Sequence, residues 1–314
     1  MGDFNLVKVD DPKALGKVTV SLMDKLEHAC GWLATPKGAW KDQVEAKGLF
    51  IEEIKNNPNL TPLEKAAFIS NSKQLIKQYK NQHDIYQIAL AQLDEKAQPE
   101  NIDDDWLSHF FDEAKQVSKD DVKIIWGKLL ADECNSPGTV PKSLIRTLSE
   151  MSAQDAKTFE LLSSFGLEYA AEIEVTFPGN VEPLNLELAN TVNAFIDWNQ
   201  SEYYQRKGLS FQQINELVNK RLISFDPIGG YSLTAKKAVF YYHDKKFRVE
   251  DIKNVFPAKP RITVGNLLLT DDGISLYKAI QHTEQTDFLD ICKATWSKAG
   301  LKITPVSEKS EEKK

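Results

Sequence analysis

The sequence predicts a mainly α protein, with a helical amino-terminal domain followed by an α+β, winged-helix-like carboxy-terminal domain. Apolar residues recur at helical spacing through the first half of the chain, and helix-capping signals precede several of these runs. Short apolar or alternating segments with turn signals are concentrated in the last third. We expect an amino-terminal helical region over 1–100, a central helical domain over 101–200, a winged-helix-like domain over 201–283, and a final helix or strand with a charged tail over 284–314.

Three helices are predicted in the amino-terminal region. The first covers "VTVSLMDKLEHACGWLA" and stops at "PKGAW", and the second extends over Trp40 to Asn56. The third has the clearest start, because Thr61 is a good N-cap, Pro62 suits the first helical position and Glu64 completes a capping box. Its predicted buried face consists of Leu63, Ala66, Ala67, Ile69 or Ser70, Leu75 and Ile76.

Two acidic helices are predicted in the segment "IDDDWLSHFFDEAKQVSKDDVKIIWGKLLADE". Carboxylates in a first helical turn bind free backbone amides and interact favourably with the helix dipole, so Asp103 to Asp105 are expected to start the first helix. Ser118 is predicted to cap the second helix, with Asp121 in the capping-box position. Asp132 and Glu133 are expected at the end of that helix or on its outer side.

A metal site is the alternative interpretation of the first acidic helix. Asp105, His109 and either Asp112 or Glu113 are spaced so that they share one helix face, as metal ligands would. Such a site also needs ligands from a facing element, and no second histidine with carboxylates at suitable spacing occurs in the sequence. We therefore expect a solvated acidic face, with no metal and no cofactor.

Two short helices and one strand are predicted in the middle of the chain, before a longer helix. The helices cover "PKSLIRTLSEM" and "SAQDAKTFELLSSFG", the second with Ser152 as its N-cap, Asp155 at the capping-box position and Gly166 as its stop. The alternating residues Ile173, Val175 and Phe177 indicate a strand, and a helix is predicted over Leu186 to Gln200.

The winged-helix prediction depends on the order of signals after residue 200. Ser210 is predicted to cap a helix within "FQQINELVNK", which is followed by the strand-like "RLISF" and the turn "DPIGG". Further on, an apolar strand over Ile262 to Leu269 precedes Thr270, the predicted N-cap of a closing helix. Units of this kind bind DNA in some proteins and dock other proteins in others.

A basic segment coincides with this unit. Ser201 to Thr263 contains twelve Lys and Arg against six Asp and Glu, a balance of +6. Because the net charge of the whole chain is −7, the remaining residues together carry a charge of −13. A nucleic-acid interface would use the outer face of the helix and the basic wing. Its candidate residues are Gln212, Gln213, Asn215, Asn219, Lys220 and Arg221 on the helix, with Lys236, Lys237, Lys245, Lys246 and Arg248 in the wing. The alternative is an ordinary polar helix face beside a wing packed on its own aromatic residues.

Several classes of protein are disfavoured by the sequence. No window approaches the roughly 18 apolar residues of a membrane-spanning helix, and the acidic start does not resemble a signal peptide, so we expect a cytoplasmic protein. The scattered Cys30, Cys134 and Cys292 are expected to be buried structural thiols. Catalytic motifs such as GxGxxG, GxSxG and HExxH are absent, which favours a protein that is not an enzyme.

The core "IWGKLLADECNSPG", followed by "LIRTLSEMSAQDA", resembles the bacterial family known as domain of unknown function 2806, and it is also similar to abortive-infection-alpha proteins. This resemblance implies a bacterial or phage protein with a link to phage defence, and it carries no catalytic residues over to this chain. The function we expect is a non-enzymatic adaptor or regulator that binds another macromolecule, with a protein as partner. The alternatives are a winged-helix nucleic-acid-binding regulator and a hydrolase or nuclease that uses the acidic helices, and self-association of the chain stays open.

Overall fold

The computed structural model describes residues 12–30, 39–171, 191–194, 201–233, 235, 237–251 and 261–306. The chain divides into two compact units, Met1–Glu150 and Met151–Lys314. The mainly α character predicted from the sequence is confirmed. Within the described ranges, all strands belong to the second unit. The finer division into four regions stays a prediction.

The first unit is built from helices with locally encoded starts. Its elements are α1 (Pro12–Cys30), α2 (Ala39–Asn56), α3 (Pro62–Leu90), a 3-10 turn (Pro99–Asn101), α4 (Asp104–Ala114), α5 (Asp120–Asn135) and α6 (Lys142–Glu150). The capping box of Thr61 and Glu64 is confirmed at the start of α3, and the Asp103 carboxylate caps α4 by accepting a hydrogen bond from the Trp106 amide at 2.7 Å. The cap predicted at Ser118 is wrong, because α5 begins after Lys119 without a side-chain cap.

The core of the first unit depends on close packing of α3 and α5. Gly127 of α5 lies so close to α3 that a Cβ atom at this position would be 2.4 Å from Cγ2 of Ile88. Aromatic side chains complete the core, with the rings of Phe110 and Trp126 centred 5.0 Å apart. The indole of Trp106 donates a hydrogen bond to the Val140 carbonyl at 2.9 Å and thereby ties α4 to the segment before α6.

The buried face predicted for α3 is wrong at Leu63 and Leu75, which are 80% and 47% exposed. Between Pro62 and Lys80, a range that the structure describes throughout, the only buried residue is Ser72. The half-buried Ile69 and Ile76 lie on the same side of the helix as Ser72.

The second unit combines helices with antiparallel strands. Its helices are α7 (Ala153–Ser163), α8 (Ser201–Arg206), α9 (Phe211–Asn219), α10 (Asp271–Ala279) and α11 (Phe288–Lys298). Its strands are β1 (Gly166–Ala171), β2 (Thr191–Ala194), β3 (Ile223–Phe225), β4 (Tyr231–Leu233), β5 (Lys237–Tyr242), β6 (Lys245–Glu250), β7 (Ile262–Gly265), β8 (Leu267–Leu269) and β9 (Lys302–Pro305). The predicted N-caps Ser152, Ser210 and Thr270 are confirmed.

The strands form one larger sheet and two short ladders. The five-stranded sheet has the order β2-β1-β5-β6-β9, while β3 pairs with β8 and β4 pairs with β7. Helix α11 covers the sheet through Trp296, whose ring centre lies 4.8 Å from that of Phe240 and 5.7 Å from that of Phe247. This packing fixes the position of α11 relative to β6, the two elements that border the candidate site.

Two predictions in the middle of the chain fail or fall outside the described residues. The helix predicted over Leu186 to Gln200 is wrong where the structure describes it, because residues 191–194 form β2 and pair with β1. Sheet pairing outweighs the helical spacing of this short segment, which contains the β-branched Thr191 and Val192. The strand predicted around Ile173, Val175 and Phe177 lies outside the described residues.

Candidate functional site

The polar residues of α9 are only partly available for binding. The Gln213 side chain accepts a hydrogen bond from the Ser210 amide at 2.9 Å and donates one to the Thr158 hydroxyl at 3.3 Å. Asn215 donates to the Phe211 carbonyl within the same helix. Two of the predicted contact residues are therefore engaged in capping the helix or in bonds within unit 2.

Lys220 also forms a contact within the second unit, whereas the next residue, Arg221, is exposed. The Lys220 ammonium group lies 3.4 Å from an Asp155 carboxylate oxygen, which links the end of α9 to α7. Arg221 follows with a φ of 60°, in the left-handed region that L side chains rarely adopt. The predicted α9 contact residues that the structure leaves exposed are Gln212, Asn219 and Arg221.

The basic residues predicted for a wing lie instead on two inner strands of the five-stranded sheet, β5 and β6. Lys246 places its ammonium group 5.6 Å from the ring centre of Tyr241, and Arg248 Nε lies 4.0 Å from a Glu250 oxygen. Lys237 is half-buried on β5, and Lys236 lies outside the described residues. Helix α9 packs against α7 and β3, so the two predicted groups belong to different substructures of the unit.

Two of these lysines contribute to a cleft between α11 and the β6–β9 edge of the sheet. The cleft has a volume of about 820 Å³. Its apolar lining consists of Phe247, Leu289, Leu301, Ile303 and Pro305, and its basic lining consists of Lys245, Lys246, Lys293 and Lys302. Sequence reasoning identified Lys245 and Lys246 but missed Lys293 and Lys302, which follow the basic segment and come together with it only in the folded unit.

The cleft exists because the chain reverses sharply after α11. The Gly300 amide donates to the Ser297 carbonyl and the Leu301 amide donates to the Trp296 carbonyl, the pattern of a Schellman motif. Gly300 has a φ of 81°, which favours glycine. This reversal allows β9 to run back along β6. The sequence signal that could have located the turn is Gly300, which follows shortly after Lys298 at the end of α11.

The electrostatic character of the cleft is basic. Among the described residues that line it there are four lysines and no carboxylate, and of these the Lys246 ammonium lies over the Tyr241 ring, on the face of β6 opposite to Phe247. Two nearby acids offset part of this charge, since Lys245 pairs with Glu284 and Lys293 lies 3.3 Å from Asp290. The hydrogen bond to Glu284 raises the pKa of Lys245 above its ordinary value, so this side chain stays charged at neutral pH. The arrangement suits a ligand with several negative charges and an aliphatic part.

One protein family matches most of this chain. A family model described as "Protein of unknown function (DUF2806)" matches residues 69–293. The chain belongs to the DUF2806 family. The matched region of this DUF2806 protein includes α9, β5, β6 and part of α11, whereas β9 follows it. The similarity to abortive-infection-alpha proteins stays a prediction. No curated protein and no solved structure matches the chain.

The acidic helices of the DUF2806 protein do not bring their side chains together as a metal site. The Asp112 carboxylate pairs with Lys115 at 2.9 Å, and Asp105 is exposed whereas His109 is half-buried. Within the described part of the chain, no three His, Cys, Asp or Glu side chains are grouped closely enough to hold a metal ion. In the same ranges, no helix is both long and apolar enough to cross a membrane.

One acidic residue has a structural role that the sequence did not indicate. Glu133 was predicted at the end of α5 or on its outer side, but its exposure is only 2%. Its two carboxylate oxygens accept hydrogen bonds from the amides of Gly138 at 2.6 Å and Val140 at 2.9 Å, which fixes the loop before α6. Burial raises the pKa of Glu133 above its ordinary value, although these amide bonds act in the opposite direction.

Proposed function

We propose that this DUF2806 protein is a non-enzymatic binding protein that holds an acidic, partly aliphatic segment of a protein partner in the cleft beside β9. The observation that carries the proposal is the lining itself, whose described residues include five apolar residues and four lysines but no carboxylate. Lysine ammonium groups bind carboxylates as point charges, while the half-buried Ile303 and the exposed Pro305 offer apolar surface to an aliphatic side chain. An adaptor or regulator of this kind needs no catalytic group.

The floor of the cleft favours a protein segment over a nucleic acid. Proteins that bind single strands without sequence preference stack bases on aromatic faces, each stack being worth roughly 1–3 kcal/mol. The aromatic side chain in the cleft lining, Phe247, is buried against Trp296 and Phe240. The remaining apolar lining is aliphatic, which suits Leu, Ile or Val side chains of an acidic peptide.

A second candidate function is nucleic-acid binding at α9, and Arg221 is the observation that favours it. This exposed arginine occupies the left-handed C-terminal position of α9, where glycine would be less strained. A strained residue on a surface is a reason to suspect a functional role. The winged-helix-like order of α9, β3 and β8 belongs to this candidate, with Gln212 and Asn219 beside Arg221.

A binding titration distinguishes the two candidates. The full chain is titrated by fluorescence anisotropy into a labelled peptide of alternating Glu and Leu, a Gln and Leu peptide of the same length, a short DNA duplex and a single-stranded RNA, each at several salt concentrations. The proposal predicts saturable binding of the Glu-containing peptide that weakens with salt, and much weaker binding of the Gln-containing one. Tight, salt-dependent binding of DNA or RNA with none of the acidic peptide would replace the proposal with the second candidate.

A further inference from the structure

Strand β9 is an edge strand of the five-stranded sheet. In the order β2-β1-β5-β6-β9 it has one neighbour among the described residues, β6. Its residues Lys302, Thr304 and Pro305 are exposed, and Ile303 is half-buried. An edge strand presents unpaired backbone N–H and C=O groups with which another chain can pair. In this protein the edge borders the cleft, because Lys302, Ile303 and Pro305 belong to its lining.

The register of β9 on β6 determines which backbone groups point to the free edge. The Val306 amide donates a hydrogen bond at 3.0 Å to the carbonyl of Lys246, the residue opposite to it. Hydrogen-bonded pairs alternate along an antiparallel ladder, so Thr304 also bonds to β6, whereas Ile303 and Pro305 direct their backbone groups away from it. Because proline has no N–H, the outward groups are the amide and carbonyl of Ile303 and the carbonyl of Pro305.

The side chains of β9 alternate between the two faces of the sheet. Ile303 lies opposite Val249, on the face that also carries Phe247 and that α11 covers through Trp296. Lys302 therefore lies on the other face. A strand added to β9 would alternate in the same way, with every second side chain beside Ile303 and the intervening ones on the face of Lys302. The edge thus suits a strand whose side chains are alternately aliphatic and acidic.

Helix α11 forms the other wall of the cleft. Three of the lining residues, Leu289, Lys293 and Ser297, follow one another at intervals of four and so lie along one line of the helix surface. The helix has 11 residues and is therefore about 16 Å long. An extended segment of about five residues has the same length. The described residues of the two walls include lysines but no carboxylate, so their charge favours an acidic segment over a neutral or basic one.

We infer that the acidic partner segment binds as an added antiparallel strand on β9, between this strand and the cleft-lining residues of α11. The inference rests on the proposed function and adds the conformation and register of the bound segment. The partner residue opposite Ile303 is aliphatic and exchanges two backbone hydrogen bonds with it, and the acidic residues on either side lie on the face of Lys302. Addition of a strand to a sheet edge is a common mode of peptide recognition. The antiparallel direction is that of every strand pair in the described part of this sheet.

Peptides with blocked backbone nitrogens test the inference without a change of charge. In a strand antiparallel to β9, the leucines of the alternating Glu and Leu peptide direct their N–H groups toward Ile303 and Pro305, and the glutamates direct theirs away. Methylation of every leucine nitrogen is therefore expected to weaken binding to the full chain by about tenfold or more in the anisotropy titration, since at least two hydrogen bonds are lost. Methylation of every glutamate nitrogen is the matched control and is expected to leave the affinity within about twofold.

The outcomes separate the inference from the proposed function. Equal binding of the two methylated peptides, or a loss confined to the glutamate-methylated one, would overturn the added antiparallel strand while the proposed function holds. A failure of the unmethylated peptide to bind would overturn both.

Amide hydrogen exchange of the full chain, followed by NMR, locates the added strand on the protein. The Ile303 amide points away from β6 and is expected to exchange about tenfold more slowly, or slower still, when the unmethylated peptide is saturating. The Thr304 amide already bonds to β6, so it is the internal control and is expected to exchange slowly in both states. Unchanged exchange at Ile303 while the peptide is bound would overturn the inference.

Discussion

The ammonium group of Lys220 lies 3.4 Å from a carboxylate oxygen of Asp155, so a lysine predicted to contact nucleic acid instead joins α9 to α7. Both side chains are mostly buried, with 23% and 15% of their surface exposed. Burial raises the pKa of Asp155, but hydrogen bonds from Ser152 together with Lys220 outweigh it and hold that pKa below its ordinary value.

Replacing Lys220 is expected to act on stability. Lys220→Met should lower the free energy of unfolding by about 0.5–1 kcal/mol at neutral pH, as measured by urea denaturation. Because the folded pKa of Asp155 lies below the ordinary value of 3.8, this contribution is complete above that pH and is lost as the pH falls through the folded pKa. Lys157→Met, at an exposed position of α7, is the control, and an equal effect of the two changes would argue against the ion pair.

The helix contact at Gly127 gives a second prediction. Gly127→Ala forces a Cβ into the Ile88 side chain and is expected to lower the free energy of unfolding by about 1–3 kcal/mol, measured by urea denaturation. Gly48→Ala is the matched control, since a Cβ at that helical position meets nothing within 4 Å. The control should stabilise by about 0.5–1 kcal/mol through helix propensity, so the two alanines have opposite signs. Two changes of the same sign would count against the close packing of α3 and α5.

A pH dependence is expected from Glu133. Its folded pKa is raised above the ordinary 4.5, so the folded state binds the proton more tightly than the unfolded state does. The contribution of Glu133 to stability is therefore complete below pH 4.5 and is lost as the pH rises through the folded pKa. Urea denaturation at a series of pH values should show the wild type losing stability relative to Glu133→Gln as the pH rises, and the opposite trend would refute the raised pKa.

The strained position of Arg221 predicts a stabilising substitution. Arg221→Gly is expected to raise the free energy of unfolding by about 1 kcal/mol, because glycine adopts the φ of 60° without the steric cost that a Cβ incurs. The thermal midpoint should rise accordingly. Arg221→Ala keeps the Cβ and is the control, with no gain expected. If Arg221→Gly is not stabilising, the strain does not exist and the second candidate function loses its support.

The features predicted correctly from the sequence are those encoded locally. The capping boxes predicted at Thr61 and Ser152 each need residues only three positions apart, and both are present, as is the N-cap predicted at Ser210. Buried thiols were also predicted, and Cys134 and Cys292 are buried.

The features that the sequence did not reveal depend on contacts between distant segments. The cleft joins Lys245 of β6 to Lys302 of β9 and Lys293 of α11, and these segments come together through the Trp296 packing, the pairing of β6 with β9 and the Schellman turn at Gly300. The strand β2 exists through its pairing with β1, and the burial of Glu133 depends on a loop that folds back over α5. The implied link to phage defence stays a prediction.

The most direct test of the proposed function compares two paired charge reversals in the acidic-peptide titration. Lys293→Glu with Lys302→Glu alters the cleft, whereas Lys157→Glu with Lys278→Glu makes the same change of charge at exposed positions of the second unit that do not line it. We predict that the cleft variant weakens peptide binding by at least tenfold, about 1.4 kcal/mol, while the control stays within about twofold of the wild type. Equal weakening by both variants, or undiminished binding by the cleft variant, would contradict a binding site in the lysine-lined cleft.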